Sequence, residues 1–238
     1  MSTELEGQIA LVTGASRGIG GATAEALAKA GAHVILTARD PRALEAVESR
    51  IHEAGGSATI APMDLAEPDA IARLATAVAQ RWQRLDILVH CAAILPELTS
   101  VAQIDQKAFT RALTVNVMAT QALLASFDPL LRASADARVI GMSSGVAANP
   151  RAYWGAYAAT KAAADTLLAC YADETRNISK IRVAIVNPGA TRTAMRARAY
   201  PGEDPKSLKG PEVVAERLLA LLGERFDSGT RESLNHLS

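Results

Sequence analysis

A phenol and an ammonium stand four residues apart in Tyr157-Ala-Ala-Thr-Lys161. On a helix that spacing puts both on one face, with Cβ atoms roughly 5–6 Å apart. An unperturbed tyrosine, with a pKa near about 10, is a poor base at neutral pH. A cation ~5 Å away, at an effective dielectric of about 20, favours the phenolate by about 3 kcal/mol, roughly two pKa units. The pair is therefore suited to exchange a proton with an alcohol or carbonyl oxygen. The plain alternative is an i,i+4 pair on the surface of an Ala-rich helix. Ser143 or Ser144, following the apolar run Arg138–Met142, can donate a hydrogen bond to a substrate oxygen or serve as an ordinary turn or helix cap. Asn116 falls on what should be a buried stripe, Ala112 to Thr120. Its amide needs partners there: a backbone carbonyl, a water or Lys161.

A second motif is suited to binding rather than proton transfer. Ile9-Ala-Leu-Val-Thr13 runs into Gly14-Ala15-Ser16-Arg17-Gly18-Ile19-Gly20, and a segment of helical period follows. Strand, glycine turn and helix in that order bring a helix N-terminus and a bare backbone up to a dinucleotide pyrophosphate. The next strand ends in Thr37-Ala38-Arg39, where an NAD-binding turn would carry an acid. Arg39 with Arg17 can clamp a 2′-phosphate instead. Two charge-assisted hydrogen bonds, about 1.5–3 kcal/mol each, imply a preference for NADP(H) on the order of 100-fold. Asp40 keeps NAD(H) open.

These residues must be positioned by alternating short apolar runs and longer helical stretches. The strand candidates are Ile9–Thr13, His33–Thr37, Ala58–Met63, Leu85–Val89, Arg138–Met142 and Arg182–Asn187, all apolar on both faces. Such strands need cover on both sides, which predicts an α/β fold: a Rossmann-like doubly wound parallel sheet with helices on both faces. Helices are expected over Gly20–Ala30, ending at Gly31, and over Pro41–Ala54, capped by Asp40. No linker or repeat divides the 238 residues, so a single domain is expected over 1–238. Within it, residues 190–210 carry two prolines and five basic residues after a strand end and read as a substrate lid. Residues 223–238 lack apolar alternation and read as a polar C-terminal tail or a poor edge element.

The composition narrows the partners. Twenty-five basic and twenty-five acidic residues, both signs interspersed, predict neither nucleic-acid nor membrane binding. Two distant cysteines and four scattered histidines predict no disulfide framework and no metal site, and a cytoplasmic protein.

Thr13-Gly-Ala-Ser-Arg-Gly-Ile-Gly20, Asp64-Leu65, Asn116, Ser144, Tyr157-x-x-x-Lys161 and Asn187-Pro188-Gly189-Ala-Thr191-Arg-Thr193, in this order and spacing, resemble the short-chain dehydrogenase/reductase family over roughly residues 7–222. Near Arg151–Tyr157 and Thr191–Met195 the chain is similar to a bacterial, NADP-type branch of it. The resemblance implies an oxidoreductase that transfers hydride between a nicotinamide and a carbonyl or secondary alcohol. It implies Tyr157 as general acid/base and Lys161 as the group that lowers its pKa and holds the nicotinamide ribose. Ser144 would position the substrate carbonyl, and Asn116 would complete a water-linked relay. It further implies Asp64, Leu65 and Ala92 near the adenosine, Ile19 near the nicotinamide, and Pro188, Gly189, Thr191 and Thr193 around the carboxamide and phosphates.

The usual Asn-Asn-Ala-Gly after the fourth strand is here His90-Cys91-Ala92-Ala93, which removes an amide and adds a methyl near the adenine ribose. Cys91 and His90 read as buried structural residues. An apolar seventh strand, used by many relatives in tetramer contacts, is missing from the pattern; a homodimer or homotetramer is expected. Tyr153, Trp154, Met195 and Tyr200 suit apolar substrate walls, while Arg192, Arg196 and Arg198 would draw an anionic substrate or simply cover the lid. The rival class is a non-catalytic nucleotide-sensing protein, which needs the glycine turn but not Asn116, Ser144, Tyr157 and Lys161 together. Sugar-nucleotide epimerase or dehydratase chemistry would need a further substrate domain.

Overall fold

Strand residues in this chain are apolar on both sides, and the computed structural model, which describes residues 4–237, covers both. The first half runs β1 (Ile9–Thr13), α1 (Gly18–Lys29), β2 (His33–Thr37), α2 (Pro41–Glu53), β3 (Ser57–Ile60), α3 (Ala70–Trp82) and β4 (Ile87–His90). The second runs α4 (Gln106–Leu113), α5 (Ala119–Arg132), β5 (Arg138–Met142), α6 (Gly145–Ala148), α7 (Gly155–Thr175), β6 (Arg182–Asn187), α8 (Ala194–Ala199), α9 (Pro211–Gly223) and β7 (Thr230–Ser233). All seven strands pair in parallel in one sheet, order β3-β2-β1-β4-β5-β6-β7.

Side chains alternate across that sheet into two cores. Ala10 and Val12 of β1 join Leu27, Leu44, Val47, Val214 and Leu218 from α1, α2 and α9. Ile9 and Leu11 join Val78, Leu123, Phe127 and Leu168 from α3, α5 and α7 on the opposite face. This is the doubly wound α/β sheet that the sequence predicts, in a single domain. Local signals hold as well: Asp40 accepts from the Arg42 and Ala43 amides at 3.1 and 3.3 Å to start α2, and Gly31 follows α1 at φ +102°.

Three differences have physical causes. The third strand ends at Ile60 rather than Met63, although the Ala61 and Met63 amides still reach the Leu36 and Ala38 carbonyls. The fourth strand is Ile87–His90, displaced toward the C-terminal edge, because the Leu85 amide bonds Leu130 instead of a neighbouring strand. The third concerns residues 223–238, where the polar-tail reading gives way to the edge-element one: Thr230-Arg-Glu-Ser233 forms β7, in parallel register with Ala184–Asn187. An edge strand needs only a partner's free backbone edge on one side, and polar side chains suit the exposed position. Buried Phe226 and Leu234 pin its ends. With β7 present, the ground for an assembly without a seventh strand falls away.

Because Leu234 is completely buried, Leu234→Ala is expected to lower the unfolding free energy by about 2–5 kcal/mol in a urea titration, whereas a loosely attached tail would change it by less than about 0.5 kcal/mol.

Candidate active site

Parallel strands all end on the same edge, so the loops after β1, β4, β5 and β6 converge. Between them and α8 lies a cavity of about 310 Å³. Ile19, Ser144, Tyr157, Pro188, Gly189, Thr191 and Thr193 line it, with Leu95, Val146, Trp154, Met195 and Tyr200 supplying apolar walls. Tyr157 is 8% exposed and its hydroxyl donates to the Met195 thioether at 3.9 Å. Trp154 packs edge-on to Tyr157, ring centroids 6.0 Å apart, and lies 5.7 Å from Tyr200. Tyr153, in contrast, is 63% exposed and does not line the cavity.

The two adjacent serines separate clearly. Both line the cavity, but Ser143 donates its hydroxyl to Asp165 Oδ2 at 2.6 Å, whereas Ser144 makes no side-chain cap bond to α6. Lys161, one turn beyond Tyr157, is 6% exposed and donates to the Met142 carbonyl, not to the phenol. Asn116 lies in a π-helical turn, Thr114–Met118, that joins α4 to α5. Its Oδ1 accepts from the Ile94 amide at 2.8 Å, and its Nδ2 donates to the Ile94 carbonyl and Thr160 Oγ1, both at 2.9 Å. Its side-chain partners are thus Ile94 and Thr160, and Lys161 is not among them.

Burial dominates the electrostatics here. The Tyr157 hydroxyl is pushed up to about 12 by burial and by the Asp165 carboxylate, which overturns the lowering expected from Lys161 alone. Burial likewise lowers Lys161, while Asp165 and Cys91 act in the opposite direction. Cys91 rises to about 12 and His90 falls to about 3, both chiefly by burial, so both are uncharged at neutral pH. His90 is a structural link: its Nδ1 lies 2.7 Å from Thr13 Oγ1 and its Nε2 3.1 Å from Thr120 Oγ1, and Thr120 donates to the Asn116 carbonyl.

The turn Gly14–Gly20 fits a pyrophosphate. Gly14 has φ +69°, and a Cβ there would lie 2.9 Å from the Ala92 amide nitrogen; a Cβ at Gly20 would overlap the Gly14 carbonyl. The N-terminus of α1 follows Arg17 with no side-chain cap, leaving its first amides for an anion. Ser16 is half-buried in the same turn. Gly18 faces Thr193, whose methyl would be 3.4 Å from an added Cβ, so the glycine turn and the 188–193 stretch form opposing walls. Arg17 and Arg39 are exposed, whereas Asp40 is engaged in capping α2. Asp64 is half-buried, as are Leu65 and Ala92. Burial opposes its charge, but the Ala66 amide and the Arg111 guanidinium, 2.9 Å away, hold its pKa below the usual carboxylate range.

Some functional positions escaped the sequence reading. Asn235, from the supposed tail, lines the cavity and packs against Gly189. Thr160 binds Asn116 from within the Tyr157–Lys161 interval. Asp165 extends the same four-residue stride, a signal that was readable. Of the lid arginines, Arg196 is held by Glu203 at 2.6 and 2.5 Å and stacks over Tyr200, so its charge is already paired.

A family model described as short chain dehydrogenase matches residues 8–204. The chain is 38% identical over 223 residues to the uncharacterized oxidoreductase YciK of Escherichia coli K12, covering 92% of this chain and 88% of that protein. A Shigella flexneri short chain dehydrogenase solved in complex with NADP superposes with TM-score 0.94 and 36% identity over 98% of this chain and 99% of that one. An Escherichia coli CFT073 structure in complex with NADPH does so with TM-score 0.93 and 37% identity over 98% and 99%. The chain belongs to the short-chain dehydrogenase family and is an NAD(P)-dependent oxidoreductase.

A neutral, buried His90 makes stability depend on acid. Its folded pKa, about 3, lies below the unfolded value of 6.5, so the unfolded chain binds more protons in between and stability falls as pH drops through that window. Between about pH 6.5 and about pH 5 the loss from this group is about 1–2 kcal/mol. Urea unfolding over that range is expected to show a shallower pH slope for His90→Gln than for wild type; equal slopes would contradict it.

Proposed function

We propose that the protein is an NADP(H)-dependent oxidoreductase that interconverts a carbonyl compound and a secondary alcohol, with Tyr157 as the general acid/base. The observation that carries this reading is the convergence of Tyr157 and Ser144 on one largely apolar cavity, with Lys161 buried a helical turn beneath the phenol. Bound nicotinamide supplies or accepts the hydride at the substrate carbon. Ser144, free of α6, donates to the substrate oxygen and fixes its direction. Tyr157, protonated at neutral pH, would give its proton to that oxygen in carbonyl reduction and take it back in alcohol oxidation. Lys161 holds the nicotinamide ribose. Asn116 ties the π-helical turn to α7 through Thr160 and, as the family resemblance implies, completes a water-linked relay to Lys161. A nucleotide-sensing protein without turnover would need none of this second set of residues.

For the cofactor, Gly14, Ser16, Gly18 and Gly20 would surround the pyrophosphate and Arg17 and Arg39 the 2′-phosphate. Asp64, Leu65 and Ala92 would flank the adenosine, Ile19 the nicotinamide, and Pro188, Gly189, Thr191 and Thr193 the carboxamide and phosphates. NADP(H) over NAD(H) is supported by the two arginines, by the use of Asp40 as a helix cap, and by the nucleotides bound in the Shigella and Escherichia relatives. Residues 190–210 would act as a lid: the segment is closed at its base by a bridge between Thr191 and Lys209, and its helix α8 sets Met195 on Tyr157. Substrate must displace that thioether. No helix among the described residues is long and apolar enough to cross a membrane, and none of them form a metal-binding cluster. A cytoplasmic homodimer or homotetramer acting on a small molecule belongs to the same proposal.

Fluorescence titration should give saturable NADPH binding that is clearly tighter than NADH binding. Tyr157→Phe is expected to keep that affinity and lose roughly 10²–10⁴-fold in turnover of any carbonyl substrate found by screening; undiminished turnover would remove Tyr157 from its role. Arg39→Asp should move the NADPH/NADH affinity ratio toward NADH by roughly tenfold or more, and an unaltered ratio would refute the phosphate clamp.

A further inference from the structure

Asp165 continues the stride of Tyr157 and Lys161 along α7, yet has no part in the chemistry above. It is 6% exposed. Its Oδ2 accepts from Ser143 Oγ at 2.6 Å and from Arg231 Nη1 at 3.3 Å, while its Oδ1 is buried without a hydrogen-bond partner. Burying a carboxylate and leaving one oxygen unpaired is costly, and an apolar side chain would fill this position at less expense to the fold. The charge therefore has a use.

The groups around Lys161 identify that use. On its own helix it faces Tyr157 and Asp165; from β4 it faces His90 and Cys91, both uncharged at neutral pH; from β5 it meets the Met142 carbonyl. Arg231, from β7, reaches Asp165 with a side chain 55% exposed. Among the described residues Asp165 is the one carboxylate facing Lys161. The two charges are not in contact and act across one helical turn, roughly 6 Å.

We propose that Asp165 is a positioning residue, the counter-charge that keeps Lys161 an ammonium where water cannot solvate it, and that by engaging the Ser143 hydroxyl the same carboxylate leaves the Ser144 hydroxyl as the one available to a substrate. Its consequence for catalysis rests on the oxidoreductase reading above; the charge coupling itself does not. Without Asp165, the leading opposition to burial at Lys161 would be lost, and the lysine would lose its proton at lower pH. A neutral amine holds the ribose less firmly, so nucleotide affinity would begin to fall at lower pH too.

The coupling can be read without substrate or cofactor. Lysine-selective ¹³C labelling of the six lysines gives a Cε resonance for Lys161, assigned by its loss in Lys161→Met. In Asp165→Asn its titration midpoint is expected to drop by about one pH unit or more, and in Asp165→Glu to return most of the way. Arg231→Gln, which removes a competing cation and leaves the core alone, should raise the midpoint. A midpoint unmoved in folded Asp165→Asn, or, if that variant does not fold, unmoved in Arg231→Gln, overturns the proposal. NADPH titrations of wild type and Asp165→Asn across the same pH range complete the test. Affinity that falls from a lower pH in the variant supports the functional consequence, and a uniform loss at every pH marks a merely structural residue and counts against it. Wild type that binds neither NADPH nor NADP⁺ refutes the oxidoreductase reading, while the lysine resonance still decides the coupling.

Discussion

A lysine amine held almost wholly out of water is the constraint on which the rest of this site depends. Desolvating an ammonium costs several kcal/mol, so every group around Lys161 must either compensate it or avoid adding to its charge. The Met142 carbonyl accepts from it, Asp165 faces it across a helical turn, and His90 and Cys91 stay neutral beside it. The same burial, with the Asp165 carboxylate, raises the Tyr157 phenol above its ordinary value. Protonation states here are thus a property of the packed core, and they bind the helix α7, the ends of β4 and β5 and the edge strand β7 into one electrostatic unit.

The departure at His90-Cys91-Ala92-Ala93 is accommodated by that unit. His90 joins Thr13 at the end of β1 to Thr120 at the start of α5, and Thr120 in turn binds the carbonyl of Asn116. Thr13 also accepts from the Ala92 amide at 3.1 Å. This line of hydrogen bonds fixes the glycine turn relative to the π-helical kink without needing the asparagine usual in the family. Cys91, partly buried against the core, has its thiol raised to about 12, which makes it a poor nucleophile at neutral pH. Ala92 remains close enough to Gly14 that only glycine fits there.

Much of the fold was legible because its signals are local or strongly periodic. Strands apolar on both faces, the Asp40–Pro41 cap and the glycine turn each follow from backbone geometry within a few residues. β7 was legible only as an alternative to a polar tail, because Thr230–Ser233 is stabilised by the free edge of β6 and by Leu234 in a distant core, neither of which marks its own composition. Local pattern left Ser143 and Ser144 equivalent and only the family resemblance named Ser144, because the engagement of Ser143 turns on a carboxylate twenty-two residues away. The side-chain partners of Asn116 were equally hidden, since Ile94 and Thr160 reach it from other elements.

By itself, then, the sequence determined the parallel α/β sheet, the nucleotide-binding turn, and the set of residues able to move a proton, since these depend on spacing, periodicity and side-chain chemistry. Tertiary structure alone decided that the Ser143 hydroxyl is engaged by Asp165, that Met195 rests on Tyr157, and that Arg196 is already paired. Those outcomes depend on distances between elements and on the exclusion of water, and neither exists until the chain has packed.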